Sequence, residues 1–95
     1  MNYNETVEKV MVLLKEKEVC SSSQKSHRDC YESLGLYMNQ KNESYSDAIR
    51  ESWFADIRND LPSQRYTVWV QYIYQLEEMD STGTISVSAS KDGVV

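Results

Sequence analysis

The chain has 95 residues, ten of them Lys or Arg against fifteen Asp or Glu, for a net charge of −5, and 40% of it is hydrophobic. That length allows one domain with one core and leaves no room for a large cofactor cavity, while two Trp and seven Tyr speak against a disordered chain. The acidic balance opposes non-specific adhesion to nucleic acid or anionic membrane, and three Gly with one Pro are too few turn signals for an all-β fold, so helices with short connections are expected.

In chain order, residues 4–19 read as an amphipathic helix, with Val7, Val10, Met11 and Leu14 on one face and Asn2 or Asn4 as its cap. Its longest apolar run, Val10 to Leu14, lies between Lys9 and Lys15 and is far too short for a signal peptide or a membrane span, so a cytoplasmic protein is expected. The triplet Ser21-Ser22-Ser23 suits the cap of a second helix, starting at Ser22 or Ser23 and running to about Asn39 with Cys30 or Tyr31, Leu34, Tyr37 and Met38 inward. Gly35 inside it costs about 1 kcal/mol against Ala unless another helix crosses closely there. Ser46 is placed to cap a third helix to about Asn59, facing Ile49, Trp53 and Ile57 inward with Phe54 alongside.

The fourth helix contains Tyr66, Trp69, Ile73 and Leu76 at steps of three and four, a core stripe that makes it the expected centre of the fold. Asp60 or Ser63 can cap it, Pro62 is tolerated in its first turn, and Gly83 stops it. Its other face, around Val68, Tyr72 and Gln75, is nearly free of charge until Glu77, which at the far end is expected to be inert toward anything bound at the helix start. The expected architecture is therefore an all-α, compact four-helix bundle over residues 1–83. Residues 84–95, rich in Ser and Gly, read as a flexible tail or linker.

Nothing in the chain reads as chemistry. The carboxylates form no convergent pair, His27 is the only histidine, no Gly-rich phosphate loop occurs, and Cys20 and Cys30 lack metal-ligand spacing, so free thiols and no catalysis, metal or cofactor are expected. The openings of helices 2 and 4, SSSQKSHR and PSQR, each place Ser, Gln and a base in a first turn, where free N–H groups and the helix dipole favour an anion. Spacing alone is better served by capping serines with solvated Lys and Arg.

Ser23-x-x-Ser26, then Cys30-Tyr31, Leu34 and Tyr37, a Trp-bearing helix, and Leu61-Pro62-Ser63-Gln64-Arg65-Tyr66 leading to Leu76 together resemble the N-terminal core-binding (SAM-like) domain of tyrosine recombinases, the phage-integrase family. The resemblance implies a four-helix domain that clamps one side of duplex DNA through the starts of helices 2 and 4. Ser23, Lys25, Ser26, Arg28, Ser63, Arg65 and Thr67 would face the DNA. It also implies that the catalytic Arg, Lys, His and nucleophilic Tyr of the family lie outside this chain, so that it is a DNA-binding part of a recombinase and not by itself an enzyme. With about three cations at phosphates, the expected slope of log K on log salt is about −3. The alternative reading is a helical protein–protein interaction module that uses the weakly charged face of helix 4.

Overall fold

A computed structural model describes residues 1–85. Four helices account for nearly all of them: α1 (Tyr3–Glu16), α2 (Ser21–Lys41), α3 (Asp47–Asp60) and α4 (Ser63–Thr82), with no strand among the described residues. The all-α, four-helix expectation holds. Of the expected tail, residues 86–95 lie outside the described residues, whereas Ile85 is buried in the same core cluster as Met79. The packed unit thus reaches two residues past Gly83.

The helix ends explain where sequence boundaries shift. Asn2 caps α1, its side-chain oxygen accepting from the Glu5 N–H at 3.1 Å. The helix stops at Glu16, three residues short of the expected Val19, because Glu18 turns left-handed at φ 58°. The Glu18 N–H then reaches Lys15 O at 3.1 Å and the Val19 N–H reaches Leu14 O at 3.0 Å, a Schellman turn sealed by buried Val19 and Leu14. The turn leaves so little chain that α2 begins at Ser21 with Cys20 in the cap position, and the serine triplet falls inside the first turn instead of capping it. No side chain caps α2; Gln24 instead ties its first turn to the preceding connection, donating from Nε2 to Val19 O at 2.7 Å. Asn42, also left-handed at φ 55°, ends α2 in the same way.

Ser46 caps α3 as expected, accepting from the Ile49 N–H at 3.2 Å. Neither Asp60 nor Ser63 caps α4. Pro62 holds the cap position, with extended Leu61 before it, so Pro62 lies one residue outside the first turn and the helix starts with no side-chain cap.

The core stripe of α4 is the one read from its periodicity: Trp69, Ile73, Leu76 and Met79 are buried and Tyr66 is half-buried. α4 shares the centre with α2. Each of these two packs on all the other helices, while α1 and α3 flank them and do not pack on each other. Trp53 of α3 stacks on Trp69 of α4, ring centres 6.0 Å apart, and both are buried. On the other side, the Tyr3 hydroxyl of α1 donates to Tyr31 O of α2 at 2.5 Å.

A polar relay joins the two flanks. Tyr3 stacks on Tyr45 in the α2–α3 connection, the Tyr45 hydroxyl donates to the Glu77 carboxylate of α4, and Glu77 accepts from Arg50 Nη1 of α3 at 2.6 Å. Arg50 also lies 5.7 Å over the Tyr74 ring. The Arg50 and Glu77 side chains are only 16% and 27% exposed, so this pair is far less screened than a surface bridge. Glu77, expected to be inert, is a structural residue and unsuitable as a neutral control.

Two stability predictions follow from these contacts. A Cβ added at Gly35 would meet Tyr3 Cε2 at 3.7 Å, an ordinary contact, so Gly35→Ala should stabilise the chain by about 0.5–1 kcal/mol in urea unfolding. A loss of stability would show that Tyr3 tolerates no side chain beneath it. Glu77→Ala should cost about 2 kcal/mol in the same assay, because it leaves Arg50 and Tyr45 without their shared acceptor. An effect within the error of the measurement would contradict the relay.

Candidate functional site

The two helix openings singled out in the sequence are not simply side by side. α4 lies across α2 at residues 26–31: Cys30 Sγ contacts Trp69 O at 3.6 Å, the Tyr31 hydroxyl donates to Tyr72 O at 3.0 Å, and the Tyr72 hydroxyl donates to Ser26 Oγ at 3.4 Å. This crossing leaves an open groove of about 360 Å³ lined by Ser26 of α2 together with Pro62, Gln64, Arg65, Val68 and Trp69. Its floor is apolar and its rim carries one cation. Among the described residues Arg65 has no carboxylate within ion-pair distance, and it stands in the exposed, uncapped first turn of α4, where backbone N–H groups are left over.

Of the seven residues proposed to face DNA, the structure brings Ser26 and Arg65 into this groove. Lys25, next to Ser26, is exposed but paired with Asp29 at 3.2 Å, a surface bridge of little energy that a phosphate can replace. Ser23 is half-buried and outside the groove lining, its backbone carbonyl bonded to the His27 ring at 2.8 Å. Arg28 is about 160° round α2 from Ser26, as any residue two positions away must be. It lines a different groove, between α1 and α2, where Glu8 and Glu32 lie beside it. Ser63 and Thr67 are each about 160° round α4 from Arg65. They are bonded to each other, Thr67 Oγ1 donating to Ser63 O at 3.0 Å, and lie outside the groove lining. Spacing marks two helix openings, and of the seven residues on them only Ser26 and Arg65 share one groove.

The groove also contains residues outside the seven proposed to face DNA. Gln64 was in the quoted motif and Val68 on the other face of α4; Trp69 was read as core, and at 9% exposed it is core with an edge reaching the groove. Behind the groove, Tyr72 stacks face to face on His27, ring centres 3.6 Å apart, and Gln75 bonds His27 Nε2 at 3.1 Å. Tyr72 and Gln75 are thus committed to α2, and the weakly charged face considered for a protein partner reduces to Gln71, Tyr74 and Glu78 beside it. Tyr74 is 49% exposed.

Among the described residues no group of three or more His, Cys, Asp and Glu side chains is arranged to hold a metal, and no helix is long and apolar enough to cross a membrane. Cys20 and Cys30 are free thiols in opposite environments. The Ser22 hydroxyl, 3.4 Å from Sγ, lowers the exposed Cys20 thiol below its ordinary value, whereas burial pushes Cys30 well above it. Ellman's reagent should accordingly titrate Cys20 at once in the folded chain and Cys30 only on unfolding. Equal rates for the two thiols would contradict this placement.

Comparison of the chain with family models, with characterised proteins and with solved structures finds no match, so the likeness to recombinase core-binding domains rests on the residue pattern quoted for it.

Proposed function

We propose that this chain is a DNA-binding module of the kind found in tyrosine recombinases, and that it meets the duplex backbone at the groove between α2 and the opening of α4. The observation that carries the reading is Arg65. Among the described residues it is a guanidinium with no ion-pair partner, on an exposed helix N-terminus and lining the same groove as Ser26, which Lys25 precedes in the chain. Arg offers a planar fork matched to phosphate oxygens, the first-turn N–H groups and the dipole favour the same charge, and a serine hydroxyl can donate to a phosphate oxygen. The catalytic chemistry of a recombinase would be supplied from outside this chain.

The charge arrangement also sets the strength. With Arg28 on the opposite side of α2, one cation lines the groove, Arg65, and Lys25 stands about 100° round α2 from Ser26, on a chain of net charge −5. The salt slope of log K should therefore lie near −1 to −2, shallower than the value of about −3 expected when Arg28 is counted, and the non-specific Kd should be no tighter than about 10⁻⁴ to 10⁻⁶ M. Such an interface contributes position on the backbone and leaves base reading to other parts of a larger assembly.

The test is fluorescence anisotropy of a labelled duplex at two salt concentrations. Lys25→Glu with Arg65→Glu should abolish binding with helicity retained, Arg28→Glu should leave affinity nearly unchanged, and Glu78→Ala, on an exposed position near the far end of α4, should serve as the neutral control. Absence of binding at about 100 μM chain in low salt, or equal binding by the double variant, would overturn the reading, since phosphate contacts alone give affinities in that range. The exposed face of Gln71, Tyr74 and Glu78 would then be the surface to examine for a protein partner.

A further inference from the structure

His27 is the one histidine of the chain and is 4% exposed. Its surroundings are unusually complete. Nδ1 faces the backbone carbonyl of Ser23 at 2.8 Å, Nε2 faces the Oε1 atom of Gln75 at 3.1 Å, one ring face lies on Tyr72, and Tyr31 meets it edge-on at 6.1 Å. A carbonyl oxygen can only accept, so Nδ1 carries a proton in every state. With the Gln75 oxygen against Nε2, both ring nitrogens face acceptors, and only the imidazolium satisfies both. The neutral ring is satisfied when the Gln75 amide turns over and donates its N–H₂ to Nε2. One residue can thus serve both protonation states, and the Tyr72 face attracts the charged one.

We propose that His27 is a protonation-sensitive positioning residue for the groove, holding a charged and a neutral state on the same partners and passing the difference to Ser26 and Arg65 through Tyr72. In the step itself the Gln75 amide gives up its N–H bond to Nε2 and turns over, a solvent proton adds to Nε2, the imidazolium donates to Gln75 Oε1, and no bond to carbon is made or broken. The path is short. The ring beneath His27 belongs to Tyr72, whose hydroxyl bonds Ser26 Oγ, and Ser26 faces Arg65 across the groove. The titratable groups against the imidazole are the phenols of Tyr31 on α2 and Tyr72 on α4, and among the described residues no carboxylate or cation is bonded to it. Burial raises the Tyr31 phenol above its usual range, so it adds no charge beside the ring. The effect on a ligand rests on the DNA reading above: one added positive charge behind the groove should tighten duplex binding about twofold to fivefold.

Because the chain has one histidine, its ring signals in ¹H–¹³C NMR belong to His27 without ambiguity. The free chain is titrated from about pH 8 to about pH 5, the range in which imidazoles change charge, while the amide signals of Ser26 and Arg65 and the Trp69 indole are followed. Those signals should move with the midpoint of the His27 ring. In Tyr72→Phe the ring should still titrate, but the Ser26 and Arg65 shifts should shrink. Duplex affinity should rise at the acidic end in the parent chain and be flat with pH in His27→Gln. Groove signals that ignore the His27 midpoint, or a ring that stays neutral until the chain unfolds, would overturn the inference even if DNA binds. If the groove follows the ring but duplex binds at neither pH, the coupling stands and the DNA reading fails. Should His27→Gln not fold, the parent and Tyr72→Phe titrations still decide.

Discussion

The crossing of α2 and α4 is the constraint on which the other contacts depend. These are the two helices that pack on all the others, and they meet where Cys30 and Tyr31 of α2 reach the main chain of α4 at Trp69 and Tyr72, in one core cluster with buried Leu34, Ile73 and Leu76. Two side chains of α2 bond or touch main-chain carbonyls of α4, Cys30 at Trp69 and Tyr31 at Tyr72, which fixes the register of one helix on the other in a way that apolar contact alone does not. Once that register is set, Tyr72 must lie on His27, Ser26 must face the opening of α4, and the groove exists. Its shape is a consequence of the core.

The flanking helices are attached differently on the two sides. α1 reaches α2 through Tyr3, whose ring lies near Gly35 and whose hydroxyl bonds Tyr31 O, while α3 reaches α4 through the stack of Trp53 on Trp69. The relay from Tyr3 through Tyr45 and Glu77 to Arg50 then connects helices that have no packing of their own. Burial and the Glu77 carboxylate hold the Tyr45 phenol above its ordinary range, which keeps it a donor to that carboxylate. A partly buried pair of this kind fixes geometry more than it adds stability.

How much of this is legible in the sequence depends on distance along the chain. Helical periodicity is local, so the inward stripes of α1, α3 and α4 can be read from Val10 and Leu14, from Trp53 and Ile57, and from Trp69, Ile73 and Leu76. Helix ends are harder, because the left-handed turns at Glu18 and Asn42 lack the glycine that signals such a turn, and an unseen turn at Glu18 shifts the start of α2 by one or two residues. The role of Glu77 is invisible from its neighbours, since its partners Tyr45 and Arg50 are 32 and 27 residues away. The site falls between these cases. Ser26 and Arg65 belong to openings that sequence marks, but Arg28, Ser63 and Thr67 sit beside them in the chain and on other faces in space, because two residues along a helix is more than half a turn. His27 with Gln75 is a contact across 48 positions, for which the sequence carries no sign.

The central claim is that the α2–α4 crossing builds the surface that meets DNA. The most direct measurement is a ¹H–¹⁵N NMR titration of the isotopically labelled chain with a short duplex in low salt. Shifts concentrated at Ser26, Gln64, Arg65, Val68 and the Trp69 indole, with Glu8, Arg28 and Glu32 undisturbed, are the expected result. Shifts centred instead on the α1–α2 groove around Arg28, or no shifts at all, would contradict it.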